Sequence, residues 1–186
     1  MKSHGLLMTP KLTLLTLAGI KTETRRIPTP RNTFFDGGAW PKEFLQHESW
    51  KTQLDWKNAT IDTGPSPAGN PGPYLHVRCP INMTTHRIYS RIQPGDEIYI
   101  KEAWQDGMGW YGKQWKSPLF MPREAARIVR RVESVGFEWL HDITPASAKA
   151  EGLGTVDSFM ATWLKINGNT DNRIVLVYKF GKENVG

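Results

Sequence analysis

Residues 17–26, LAGIKTETRR, set Lys21, Glu23, Arg25 and Arg26 among threonines, directly after a leucine-rich run and a glycine. A lysine made neutral by burial can take a proton from a hydroxyl or from water, and a nearby threonine supplies a hydroxyl able to attack a carbonyl. Such a lysine needs a carboxylate to place it and to receive charge. In a regular strand Lys21 and Thr24 have opposite parity and face opposite sides. They can cooperate only if the chain bends between them, and Gly19 makes a bend feasible. The same charges also suit an exposed strand start, where ion pairs contribute little. Spacing leaves both readings open.

The elements that must position these residues are legible in outline. Thr9-Pro10 predicts a helix N-cap with proline at the first helical position. Leu12, Leu15 and Ala18, with Leu14 alongside, give a helical apolar stripe, and Gly19 suits a left-handed C-terminal cap. Pro28 and Pro30 close the charged stretch. Residues 28 to about 90 show little periodicity, and TGPSPAGNPGPY excludes a regular element there. The apolar residues in that region are mostly aromatic (Phe34, Phe35, Trp40, Phe44, Trp50, Trp56, Tyr74). They predict an irregular insertion pinned to the domain by its rings, with a short helix near residues 41–54.

Order returns at Pro94-Gly95-Asp96, a turn signal, followed by a strand with Ile98 and Ile100 inward. A second strand carries Ile128, Val132 and Phe137, with a kink expected at Gly136. Thr144, Pro145 and Gly152 cap, open and end a short helix. Asp157 is expected to cap a second helix whose Phe159, Met160, Trp163 and Leu164 share a face. RIVLVYKF, residues 173–180, reads as a strand buried on both sides. The resulting order (helix, three strands, two helices, strand) predicts a single α+β domain, with a small mixed sheet or barrel flanked by helices.

The chain has 186 residues and a formal charge of +6, with 39% hydrophobic residues and eight tryptophans. This excludes a disordered chain and suits nucleic acid as a partner, since cations neutralise phosphate and rings stack on bases. No apolar run approaches the ~20 residues of a membrane helix, and Pro10 and Lys11 interrupt the run a signal peptide needs. A cytoplasmic protein with no membrane partner is expected. One cysteine, Cys79, excludes an internal disulfide. His76, Cys79 and His86 lack the two close ligand pairs of a structural zinc site, so they read as ordinary loop residues, and no metal or cofactor is expected. The glycine-rich stretch after Glu102 and Trp104 carries Trp110, Tyr111 and Trp115, candidates for stacking. Arg123 and Arg127 beside it are candidates for anion contact, while Arg130 and Arg131 fit a solvated strand face or a phosphate track.

Five segments in this order resemble the ASCH domain of the PUA-like group, in the larger form seen in phage and prophage proteins. LAGIKTETRR is similar to the family's Gly-x-Lys-Thr-x-Thr-x-Arg signature. PGDEIYIKEAW is similar to its Pro-Gly-Asp turn and strand ending in Glu and Trp. KSPLFMPREAARI, LHDITPASAKAEGL and RIVLVYKF resemble its Met-Pro-Arg segment, its Glu-Gly helix and its final strand. The resemblance covers most of the chain outside about residues 31–75. It implies a small β-barrel with helices at its mouth and a cleft for RNA or a modified nucleobase. Some small bacterial members are amidohydrolases that deacetylate N4-acetylcytidine with a lysine, a threonine and a glutamate. Those roles fall here on Lys21, Thr24 and Glu151, with Arg26 a candidate for stabilising an oxyanion. Glu102 and Trp104, which end the strand segment of this resemblance, join Arg26 as substrate-binding candidates, beside Trp110, Trp115, Arg123 and Arg127 of the basic tryptophan-rich loop, where the chain departs from the family. Other members bind or cleave RNA, which leaves a non-catalytic nucleic-acid-binding module or a nuclease as the alternative.

Overall fold

The computed structural model describes residues 1–186 except 37, 68, 71, 106–114 and 186. The chain is α+β and dominated by two sheets. The first sheet contains β1 (Ser3–Leu7), β2 (Glu23–Arg26), β7 (Glu97–Lys101), β10 (Val129–Trp139) and β11 (Ile174–Phe180), in the order β1-β7-β10-β11-β2. β1 and β7 are parallel, and the other pairings are antiparallel. β1, five residues broken by Gly5, is too short for its pattern to stand out in the sequence.

The second sheet corrects the expectation of an irregular insertion. β3 (Thr33–Phe35), β4 (Asp55–Asp62), β5 (Tyr74–Cys79) and β6 (Thr84–Ser90) form an antiparallel sheet in the order β3-β6-β5-β4. Two one-turn helices, α2 (Lys42–Leu45) and α3 (Trp50–Gln53), lie between β3 and β4 where one short helix was expected. The aromatic residues form an interior here. Phe35 meets Trp40 edge-on at 4.4 Å, and Trp40 meets Trp50 at 6.1 Å. Trp40 Nε1 donates to Thr33 O at 3.1 Å, satisfying the indole inside this core. His76 and Cys79 lie on β5 and His86 on β6, so none is a loop residue.

β11 carries the architecture. Ile174, Leu176, Tyr178 and Phe180 face a core shared with the second sheet, while Val175 and Val177 face the helices. Burial on both faces explains its near-continuous apolar sequence. Helix α4 (Pro145–Ala150) is capped by Thr144, whose hydroxyl accepts from Ser147 N. Helix α5 (Val156–Asn167) is capped by Thr155, which accepts from Ser158 N, so Asp157 lies in the first turn. Phe159 and Trp163 are its buried residues, whereas Leu164 is exposed. β10 runs through Gly136, and its register shift falls between Val132 and Ser134. The short strands β8 (Trp104–Gln105) and β9 (Trp115–Lys116) pair with each other. Among the described residues, no helix is long and apolar enough to cross a membrane.

Because Trp40 joins the ring cluster to the shared core, Trp40→Ala is expected to lower the unfolding free energy by about 3–5 kcal/mol in urea titration. Trp115→Ala, at a position 72% exposed, is expected to change it by about 0.5 kcal/mol or less. A loss below about 1 kcal/mol for Trp40→Ala would mean that the second sheet is not an integral part of the folding unit.

Candidate functional site

The site is assembled at the end of the first helix. α1 (Pro10–Leu17) ends on Ala18, and Gly19 follows in the left-handed region at φ 69°. Ile20 N and Lys21 N both donate to Leu15 O at 3.0 Å, and Thr22 N donates to Ala150 O at 2.7 Å. These bonds hold the Lys21 loop against the C-terminal end of α4, where Glu151 is the capping residue. Gly152, at φ 81°, completes the fit. A Cβ there would lie 3.0 Å from Leu15 Cδ1 and 3.4 Å from Lys21 Cβ.

Lys21 is 1% exposed. Its Nζ donates to the Glu151 carboxylate at Oε2, to Glu23 O at 2.6 Å and, at 3.4 Å, to Glu151 O. An ammonium has three protons to donate, and three acceptors surround this one. The Glu23 carbonyl is available because β2 is an edge strand. Thr22 O accepts from Phe180 N across the sheet, so by alternation the Glu23 carbonyl faces the open side. Burial lowers the pKa of Lys21, with Arg26 and Arg25 acting in the same direction and Glu151 opposing.

Arg25 is the central residue that the sequence did not single out. Its side chain is fully buried. Nη1 donates to Glu151 Oε1 at 3.1 Å and to Glu23 Oε2 at 3.3 Å, and Nε donates to Glu138 Oε1 at 2.6 Å. The guanidinium lies 5.7 Å from the centre of the Phe159 ring, a cation–π contact. Lys179 Nζ lies 3.2 Å from Glu23 Oε1. Lys21, Arg25 and Lys179 thus interlock with Glu23, Glu138 and Glu151. Glu138, placed 113 residues after Arg25 in the chain, gave no sequence signal linking the two.

A cavity of about 300 Å³ opens beside this cluster. It is lined by Thr24, Arg25 and Arg26 of β2, by Glu151, by Leu7 at the end of β1 and Met8 after it, and by Phe159 and Trp163 of α5, among others. Thr24 pairs with Tyr178 and Arg25 with Val177, so the cavity wraps around the edge of β2 and meets side chains from both faces. Arg26 Nη2 donates to Leu7 O at 2.5 Å, linking the two edge strands β2 and β1.

The remaining candidates lie elsewhere. Glu102, Trp104, Trp115, Arg123 and Arg127 are not among the cavity's lining residues, and Trp110 lies outside the described residues. Arg127 grips Glu102 with two hydrogen bonds at 2.6 and 2.8 Å, and Arg123 pairs with Glu97 at 3.2 Å. Both arginines expected to meet an anionic ligand therefore already hold carboxylates of the chain. Arg130 is buried and donates to Thr16 O at 2.8 Å at the end of α1, so it belongs to neither a solvated face nor a phosphate track. Trp104 is half-buried, with Lys116 Nζ 5.1 Å from its ring centre. Among the described residues, no group of three or more His, Cys, Asp or Glu is placed to hold a metal. Compared with models of protein families, with curated proteins and with solved structures, the chain matches none.

Removing one member of a buried ion pair strands the other, so Lys21→Met is expected to cost about 3 kcal/mol of stability. The pKa of Lys21 is lowered from 10.5 in the folded state. Between the folded value and 10.5 the unfolded chain holds the extra proton, so rising pH favours the folded state. The stability of the parent relative to Lys21→Met should therefore increase as the pH of urea titrations is raised from about 7 to about 10. A flat or falling difference would contradict the burial-driven shift.

Proposed function

We propose that this chain is an ASCH-type, PUA-like protein whose cleft takes a modified nucleoside, and that it is an amidohydrolase acting on an acylated cytidine of the N4-acetylcytidine kind. The observation that carries this reading is the buried Lys21–Glu151 pair, of which Glu151 lines a cavity together with Thr24 and Arg26 while Lys21 lies behind it. The link between the edge strands β1 and β2 through Arg26 and Leu7 supports the barrel-like closure that the family reading implies.

In this mechanism Lys21 becomes a base by passing a proton to Glu151 Oε2, a transfer that its lowered pKa assists. Arg25 meanwhile anchors the other carboxylate oxygen of Glu151. Thr24 Oγ1 attacks the acyl carbonyl, and its proton goes to Lys21. The carbon–nitrogen bond then breaks, and the leaving nitrogen takes that proton to become the amine. Water cleaves the threonyl ester, its hydroxyl passing to the acetyl group and one proton to Thr24 Oγ1, so that acetate and a proton leave. Glu151 then returns the borrowed proton to Lys21. Arg26, a fixed cation lining the cavity, faces the charge that develops on the carbonyl oxygen.

A second reading, a non-catalytic module for RNA or single-stranded nucleic acid, is favoured by one observation. Trp115 and Phe120 are 72% and 77% exposed within a short segment of this basic chain. Exposed rings beside cations form a stacking platform.

Incubation with N4-acetylcytidine should release cytidine and acetate. Thr24→Val, which keeps the side-chain shape and removes the nucleophile, should lower kcat at least about 100-fold. No turnover by the parent, or turnover unchanged in Thr24→Val, would reject the enzymatic reading. For the binding reading, Trp115→Ala should weaken single-stranded RNA binding by about 1–3 kcal/mol, and affinity should fall steeply with salt. Salt-insensitive binding, or binding that Trp115→Ala leaves unchanged, would reject it.

A further inference from the structure

Helix α1 packs the wrong way round. A helix lying on a protein core ordinarily turns its apolar stripe inward. In α1 the buried residues are Thr13 and Thr16, while Leu14 and Leu17, neighbours on one face, are 59% and 42% exposed. Ile20, in the turn that follows, is 54% exposed. Thr16 tolerates burial because its hydroxyl donates to Leu12 O at 2.9 Å. Nothing comparable offsets the apolar side chains left in water. This face runs into an open groove of about 720 Å³ that shares no lining residue with the cavity at β2. Three links join the face to the groove. Thr22, just after Ile20 and Lys21, lines the groove. A Cβ on Gly19 would lie 3.5 Å from Cβ of Lys182, another lining residue. Arg130 donates both to Leu17 O at 3.5 Å and to Asn184 Oδ1 at 3.0 Å, beside Val185 of the lining.

We propose that the exposed face of α1, Ile20 and this groove together form the surface through which two copies of the chain pair about a two-fold axis. Charge decides the occupant. Among the described lining residues, Arg131 and Lys182 are matched by Glu133 and Glu183. Nucleic acid or an anionic membrane is held by an excess of cations, which this groove lacks. A chain of charge +6 repels its own copy unless the meeting surfaces are locally balanced, as they are here. Lys11 sets the orientation. It lies in the first turn of α1, where a cation is unfavourable. Antiparallel pairing of the two α1 helices brings it to the C-terminal end of the other copy's helix, where a cation is favoured. Size fixes the footprint. A stable interface covers about 800 Å² on each partner, more than three side chains provide, so helix and groove are covered together. The same surface then serves both copies, as a two-fold contact requires. Pairing covers the outer side of the turn that folds Lys21 inward, and it does not depend on what the cavity at β2 takes.

The test is sedimentation velocity of the full chain from about 1 to about 100 µM, where a monomer–dimer equilibrium with a micromolar midpoint is expected. Leu17→Glu should weaken the dimer at least about tenfold, with the circular dichroism spectrum and urea midpoint retained. Ile81→Glu is the control. Ile81 is 72% exposed between β5 and β6 of the other sheet, and its replacement should leave the equilibrium unchanged. Leu17→Cys, the second variant, should cross-link to its counterpart under mild oxidation, because a residue near a two-fold axis meets itself. The native Cys79 is buried and does not compete. A monomer throughout the range, a dimer that Leu17→Glu leaves intact, or equal losses from Leu17→Glu and Ile81→Glu would overturn the proposal. So would a dimer in which Leu17→Cys does not cross-link. A monomer that anionic vesicles or single-stranded RNA retain through Leu17 would assign the face to that partner and also overturn it.

Discussion

The burial of Lys21 against Glu151 is the constraint on which the arrangement around the cavity depends. A charged pair removed from water is tolerated only when every proton and lone pair has a partner. Each partner here comes from a different part of the chain. The α1 terminus supplies the turn that folds Lys21 inward, and the edge of β2 supplies the Glu23 carbonyl. The end of α4 supplies the carboxylate and a terminal carbonyl. Arg25 then ties Glu151 to Glu138 of β10, two strands away across the sheet. Meeting the needs of one ammonium thus fixes the relative positions of α1, β2, α4 and β10.

An edge strand is a liability unless something covers its outward polar groups. β2 meets this need with side chains, since Lys21 takes the Glu23 carbonyl and Arg26 reaches across to Leu7 O. Covering the edge this way, instead of adding a sixth strand, leaves room for the cavity. It also explains why residues of opposite parity, Thr24 and Arg25, both reach it. A cavity at the side of an edge strand meets both faces of the sheet, whereas one over a central strand meets a single face. Strand parity does not decide where Lys21 points, because Lys21 precedes the strand and its side chain folds back onto the Glu23 carbonyl.

The sequence made the first sheet and its helices legible because their signals are local. Thr9-Pro10, Gly19, Thr144-Pro145 and Gly152 are caps whose meaning lies within a few residues. RIVLVYKF declared a strand by composition alone. The second sheet was hidden because its strands are short and its core is aromatic, contributed partly by one-turn helices without periodicity. One clue was present, since Leu75, Val77 and Cys79 alternate with His76 and Arg78 along β5. The prolines just before that stretch are the stronger local signal, and they argue against a regular element. The resemblance points to Lys21, Thr24, Arg26 and Glu151, which the structure gathers at or behind one cavity, whereas Arg25 reads locally as one more charge. Its importance comes from Glu138 and Glu151, and contacts spanning 113 and 126 residues leave no mark in local spacing.

The cluster is also more elaborate than stability requires. Well-packed apolar residues of similar volume are often as stable as a buried ion pair, so six interlocked charges are an inefficient way to hold an edge strand. A purely structural network would also be expected to close on itself. This one does not, because Arg25 uses Nε and Nη1 on carboxylates and leaves Nη2 unpartnered, and the neighbouring Arg26 and Trp163 do likewise with one donor each. All three residues are among those that line the same cavity, and each oxygen of its Glu151 carboxylate already accepts one hydrogen bond. Rigidity of the kind this network supplies is one property a preorganised binding site needs. At the edge of β2 the charges Lys21, Glu23 and Arg25 of LAGIKTETRR are buried and interlocked beside a cavity, which is not the decoration of a surface.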